Sequence, residues 1–188
     1  GKAFAIVVKY AAFRVGEDFL DLLATLRRQG VNAVVVCNGR PRPAELEQLR
    51  AAAHRILIRP NVGRDMGAYR AASLHLQGLA AGRVLYFNDS IFYLRGPELE
   101  DMVGRLTDSA YDVVGTFENH EYYHHVGSFA FGVSGEVFAD PRVAAFWERY
   151  KPYDLRPHAI VRGEIGLAEC IKKAGYRIDV VYSAERLA

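Results

Sequence analysis

Apolar, β-rich runs alternate with segments of helical period along most of this chain, and that alternation restricts the fold more than any other feature. Ala3 to Val8 reads AFAIVV and Val31 to Cys37 reads VNAVVVC. Such largely apolar runs suit strands buried on both faces, as in parallel sheets. Between these two, Phe19, Leu20, Leu22, Leu23 and Leu26 recur at helical spacing, and Gly30 stands where a helix closes. The pattern continues with a helix over Ala44 to Ala53, a buried strand over His54 to Ile58 and a helix over Ala68 to Leu79. A strand over Arg83 to Phe87, a helix over Glu98 to Leu106 and a strand over Asp112 to Thr116 follow. This β-α-β order predicts a mostly parallel central sheet with helices on both faces, a Rossmann-type three-layer α/β sandwich.

After Thr116 the rhythm changes. Phe117 to Tyr123 is polar and aromatic, Ser128 to Val133 is strand-like, and Pro141 to Tyr150 is helical with Trp147. A loop over Lys151 to Arg162 is expected, then a helix over Glu164 to Ala174 and a last strand over Arg177 to Tyr182. With 188 residues and 51% hydrophobic content, one domain spanning 1–188 has room for a substantial core. The abrupt start and end suggest a domain excised from a larger protein, with other domains of the same polypeptide as partners.

Several function classes recede on composition. A formal net charge of +2, with arginines scattered rather than striped, argues against nucleic acid. Cys37 and Cys170 are far apart and sit in apolar or helical contexts, so both read as small buried hydrophobes in a reducing, cytoplasmic setting. No apolar run approaches the roughly 20 residues of a membrane span.

Ligands of open α/β sheets lie beyond the C-terminal ends of the strands. Three polar groups emerge there: Asn38-Gly39, the turn Asn61-Val62-Gly63-Arg64-Asp65, and Asn88-Asp89-Ser90. The second joins a strand to a helix N-terminus, where backbone N–H groups and the helix dipole favour a phosphate. A nucleotide or nucleotide-sugar pocket is the first expectation, set against a polar turn whose glycines serve tight geometry. Asp89, after a hydrophobic strand, is where an enzyme of nucleoside diphosphates would hold Mg²⁺ or Mn²⁺ through oxygen ligands; an Asx turn ending the strand is the simpler account.

Further along, His120, Glu121, His124 and His125 lack the order and the cysteine partners of a zinc site. They read better as part of a loop touching sugar hydroxyls, with Tyr122 and Tyr123. Glu164, at the expected start of a helix, is either a dipole partner or a general base that deprotonates an acceptor hydroxyl. Asp154 and Glu118 compete for that role.

Together these motifs resemble the rhamnan synthesis protein F family of bacterial polysaccharide glycosyltransferases. The resemblance rests on Asn61 to Tyr69 (NVGRDMGAY), Phe87 to Ser90 (FNDS), His125 to Phe131 (HVGSFAF), Phe146-Trp147 and Glu164 to Leu167 (EIGL), in that order. It implies a GT-A-like fold, a nucleoside-diphosphate sugar donor, dTDP-rhamnose by the family name, and a glycan or lipid-linked glycan acceptor at a growing cell-surface polysaccharide. It also implies peripheral association with the inner face of the cytoplasmic membrane. By position, Asn61, Gly63, Arg64 and Asp65 are expected to contact the donor nucleotide, with Asn38 beside them. Asn88, Asp89 and Ser90 stand in the place of the metal and diphosphate motif, His125, Ser128 and Tyr123 on the substrate, and Glu164 on the acceptor side. The chain departs from the family at Gly127, where a Gln is commoner, at Lys9, where a His is commoner, and in the single carboxylate of Asn88-Asp89-Ser90. An inverting glycosyltransferase is the leading expectation, and a non-catalytic nucleotide- or sugar-binding module of a larger synthase is the alternative.

Overall fold

The structure, a computed structural model, describes residues 1–119, 125–126 and 129–182. Its sheet runs β3 (Arg55–Arg59), β2 (Asn32–Asn38), β1 (Lys2–Tyr10), β4 (Ala81–Phe87), β7 (Ala130–Ser134), β5 (Val113–Asn119). Beyond β5, β8 (Ile178–Tyr182) pairs parallel to it and the short β6 (His125–Val126) antiparallel to its end. The first four strands are mutually parallel, and β7 enters antiparallel between β4 and β5. The expected mostly parallel α/β sandwich is therefore present, with one reversed strand in its middle.

Alternation along the central strands explains their unbroken apolar character. Phe4, Ile6 and Val8 of β1 face one core with Met66, Tyr69, Ala72 and Leu76 of α3 (Arg64–Leu76). That layer also holds α5 (Gly135–Ala139), α6 (Pro141–Arg149) with Trp147, and α8 (Gly166–Lys173) with Leu167 and Ile171. Ala5 and Val7 face the other core, with α1 (Glu17–Arg28), α2 (Pro43–Ala52) and α4 (Pro97–Asp108). Burying one such aliphatic side chain contributes about 1.5–3 kcal/mol, so an unpaired polar residue in place of any of Phe4 to Val8 would be strongly unfavourable.

Three readings need correction. β3 is the sheet's edge rather than a buried strand, and Ile58 is 50% exposed; nothing pairs with its outer side among the described residues. α3 starts at Arg64, so Arg64 and Asp65 lie in its first turn instead of the loop before it. The expected loop up to Arg162 is largely helical: α7 (Arg156–His158) runs through a π-helical turn, Ala159–Ile165, into α8. Glu164 thus sits inside a continuous helical stretch, not at a helix N-terminus. Gly163 permits that turn to press on α3, since a Cβ there would stand 2.9 Å from Met66 Cγ and 3.1 Å from Tyr150 Oη.

Candidate functional site

Parallel registration brings the expected polar groups to one edge. Tyr10 lies opposite Asn38 and Asn38 opposite Arg59, while Val7 pairs with Phe87, one residue before Asn88. Asn38 is buried, and its amide bonds within the protein: Nδ2 donates to the Arg64 carbonyl at 3.2 Å, and Oδ1 accepts from Arg59 Nη1. Arg59 Nη2 reaches on to the Val62 carbonyl at 2.8 Å. Asn38 and Arg59 therefore splint the turn that leads into α3.

That turn has an unusual backbone. Gly63 has φ 79° and Arg64 has φ 54°, and Arg64 is the one non-glycine residue with positive φ among the described residues. Such a conformation costs a side-chain-bearing residue about 1–3 kcal/mol and persists where surrounding contacts enforce it; here Asn38 and Arg59 supply them. The glycines answer to the protein's own chain. A Cβ on Gly63 would lie 2.2 Å from Pro152 Cβ, and one on Gly67 2.5 Å from the Val62 carbonyl.

The anion seat expected at this helix N-terminus is also filled from within, because Gly63 N–H donates to Asp154 Oδ1 at 2.6 Å. Asp154, weighed as a base, instead acts here as a cap on α3. Arg64 and Asn61 are exposed beside it.

Across the crevice, Asn88 Nδ2 donates to Asp65 Oδ2 at 3.0 Å, and Asn88 Oδ1 accepts from Ser90 N–H at 3.2 Å, the Asx turn considered above. The Asn88 backbone is fixed by Tyr93, whose hydroxyl donates to its carbonyl at 2.6 Å. The other Asp65 oxygen, Oδ1, is buried and meets no donor among the described residues. Burial above all, with the neighbouring Asp89 and Glu164 charges, lifts the Asp65 carboxyl to about 6, against the pull of the Asn88 hydrogen bond and Arg64.

Asp89 is held differently. Its Oδ2 accepts from Tyr10 N–H at 2.7 Å and from Lys9 Nζ at 3.3 Å. Only 5% of the Lys9 side chain and 13% of that of Asp89 are exposed. The Tyr10 hydroxyl is shifted upward by burial first and then by Asp65, with Arg64 opposing and Asp89 and Asp154 adding to it. Lys9 and Tyr10 thus join the candidate site through Asp89, contacts that the strand pattern hid; the available signal was a lysine near the end of an otherwise largely apolar strand.

The donor set does not suit a divalent cation. No group of three His, Cys, Asp or Glu side chains is placed to hold a metal among the described residues. The one carboxylate expected as ligand already has an ammonium group on it.

Beside this pair opens a cavity of about 370 Å³ whose lining includes Lys9, Phe13, Arg14, Asp89, Ser90 and Phe92. Phe13 and Phe92 are 67% and 83% exposed. Glu164 lines a separate, small crevice of about 30 Å³ with Met66, Phe131 and Leu167. It is close enough to Asp65 to raise that carboxyl.

A larger groove of about 570 Å³ lies along α6, with Arg149, Lys151, Arg162, Tyr150 and Tyr153 on its walls. Cys170 opens onto it and is partly exposed, unlike the fully buried Cys37. Tyr123 and Ser128 lie outside the described residues, as do His120, Glu121, Tyr122, His124 and Gly127. His125 and the candidate base Glu118 are placed by backbone pairing, at Asn119↔His125 and Glu118↔Val126.

Comparison with known proteins agrees with this architecture. No family model matches the chain. It is 27% identical over 187 residues to the uncharacterized protein y4gN of Sinorhizobium fredii and spans about half the length, 49%, of that curated relative. Among solved structures it is similar to 4-diphosphocytidyl-2C-methyl-D-erythritol synthase from Anaerococcus prevotii, with TM-score 0.56 and 10% identity over 97% of this chain and 87% of that one. A proposed nucleotide-diphospho-sugar transferase from Desulfovibrio desulfuricans gives TM-score 0.52 and 13% identity over 96% of this chain and 80% of that one. The manganese complex of Rv0371C from Mycobacterium tuberculosis gives 0.52 and 15% over 97% and 88%. At these identities the likeness is one of fold: the chain has the α/β architecture on which nucleotidyl- and nucleotide-sugar transferases are built.

Proposed function

We infer that the chain is a glycosyltransferase domain that takes its sugar from a nucleoside diphosphate. The observation that carries this reading is the convergence of Lys9, Tyr10, Asp65, Asn88 and Asp89 on one strand-end edge, beside an open cavity with exposed aromatic walls, in a fold of this kind. The donor nucleotide would lie against Asn61, Gly63, Arg64, Asp65 and Ser90, with Asn38 and Asn88 as supports beneath it. In transfer, an acceptor hydroxyl attacks the anomeric carbon while the bond from that carbon to the diphosphate oxygen breaks. Glu164 takes the hydroxyl proton and the nucleoside diphosphate leaves, giving inversion. Orientation and charge stabilisation of the leaving group supply most of the acceleration.

The rhamnan-synthesis resemblance directs the reading toward dTDP-rhamnose as donor, a glycan or lipid-linked glycan of the cell-surface polysaccharide as acceptor, and work in the cytoplasm at the inner membrane face. His125, Ser128 and Tyr123 are assigned to the sugar on the same ground. No helix among the described residues is long and apolar enough to cross a membrane.

The test is donor turnover. The chain is incubated with UDP-, dTDP- and GDP-sugars, with and without glycan acceptors, and release of nucleoside diphosphate is followed. Glu164→Gln should reduce turnover by about 10²-fold; unchanged turnover removes Glu164 from the reaction. A second reading, a binding module without catalysis, is favoured by one observation: Asn38, Asn88 and the Gly63 N–H all bond within the protein. Nucleotide binding with no turnover of any donor would select it.

A further inference from the structure

The sequence directs a divalent cation to Asp89, but the structure places a positive charge there already. Lys9 Nζ stands 3.3 Å from Asp89 Oδ2 and also donates to the Tyr10 carbonyl at 2.9 Å. The rings of Phe13 and Phe19, with centroids 5.9 and 5.8 Å away, flank the same ammonium group and hold it by cation–π attraction. A Mg²⁺ or Mn²⁺ ion bonded to that oxygen at about 2.1 Å could be no further than about 5.4 Å from Nζ, where like charges repel strongly in a shielded site. The oxygen also accepts the Tyr10 N–H at 2.7 Å, so a metal would have to displace established donors.

An ammonium group has three N–H donors, and two of those on Lys9 have protein acceptors. Among the described residues the third has no acceptor, and it remains for a ligand in the cavity that Lys9 lines. Arg14 stands on the same wall, and Asp18 is the one other carboxylate in that lining. Lys9 and Arg14 therefore offset Asp89 and Asp18, which alone would repel an anion. Phe13 and Phe92 add apolar surface at the mouth.

We propose that this cavity binds the diphosphate of a nucleotide on Lys9 and Arg14 without a divalent cation. The inference rests on the donor-site reading above and adds to it the source of the neutralising charge. Lys9 is fixed by Asp89 and Tyr10 before any ligand arrives, so its charge is preorganised, and Asp89 acts as the positioning residue that holds it.

Calorimetric titration with UDP, dTDP, GDP and inorganic pyrophosphate, in EDTA and then in excess Mg²⁺ or Mn²⁺, tests this. At least one nucleoside diphosphate should bind in EDTA, with an affinity within about twofold of that measured with metal. Lys9→Met and Arg14→Met should each weaken binding in EDTA by about tenfold or more. Lys9 is buried and its variant can fail to fold; Arg14, on an exposed loop, then carries the test alone, with circular dichroism reporting the folded state. Binding that vanishes in EDTA and returns with Mn²⁺ overturns the inference and leaves the donor-site reading standing. Binding unaffected by Arg14→Met and by a folded Lys9→Met overturns it as well. No nucleoside diphosphate bound under either condition overturns both.

Discussion

Two seats in this molecule were expected to hold a ligand's charge, and each is occupied by a side chain of the charge sign expected of the ligand. At the start of α3, where an anion was expected, Asp154 accepts from Gly63 N–H. Beside Asp89, where a cation was expected, Lys9 donates its ammonium protons. The seats differ in burial. Asp154 lies on an exposed strap and solvent screens it, whereas Lys9 is 5% exposed and enclosed by two phenylalanine rings. An exposed carboxylate exchanges readily with water or another anion, while a buried ammonium group is a permanent part of its site. The comparison teaches that the Lys9 seat is built in and the Asp154 seat is exchangeable.

The largest expected effect that would break this contrast is at Lys9. Lys9→Met leaves Asp89 buried without its counter-charge and should lower stability by about 3–5 kcal/mol in denaturant unfolding. Adding Asp89→Asn to Lys9→Met should recover much of that loss, because the unpaired charge is then gone. Failure of the double variant to recover would mean that Lys9 acts mainly through packing. Gly63→Ala comes next, at about 3–4 kcal/mol, since it combines a positive φ with a Cβ overlapping Pro152; thermal or denaturant melts read it directly.

Asp65 links the two seats, being two residues from Gly63 and bonded to Asn88. Its carboxyl is raised from 3.8 to about 6 by burial, so the folded state holds this proton more tightly than the unfolded chain. Its contribution is fully favourable below about pH 4, falls as pH rises to about 6, and is constant above. Relative to Asp65→Asn, the native chain should lose up to about 3 kcal/mol across that window. Asp89, Arg64 and Glu164 surround the group and shape the curve. Parallel pH profiles of the two proteins would remove the assignment. The smallest effect is expected at Asp154→Ala, about 0.5–1 kcal/mol for an exposed cap; a loss as large as that of Lys9→Met would abolish the contrast between the seats.

Much of the fold was legible because each β-α unit carries its signal locally. The runs 3–8 and 31–37 and the leucine spacing of α1 report burial on both faces and on one face, without reference to distant residues. The polar ends at Asn38, Asp65, Asn88 and Asp89 were legible as a cluster for the same reason. Their individual uses were not. Asn38 and Asn88 look like ligand contacts in sequence and bond to Arg59, Arg64, Asp65 and Ser90 in space, because an amide's partners are set by tertiary packing. Glu164 looked like a helix start because the apolar spacing of Ile165, Leu167, Ala168 and Ile171 begins after it; Gly163 in fact lets a π-helical turn before them lie against Met66.

By itself, then, the sequence determined the alternating strands and helices, their parallel arrangement over β1 to β4, and the edge on which polar residues gather, since periodicity and strand-end chemistry act over a few residues. Only the tertiary structure decided that β7 inserts antiparallel between β4 and β5, that Asp154 caps Gly63, and that Lys9 neutralises Asp89. Those last two contacts join residues 91 and 80 positions apart, and no local pattern encodes a pairing made only when the sheet closes and both side chains are withdrawn to the same end of it.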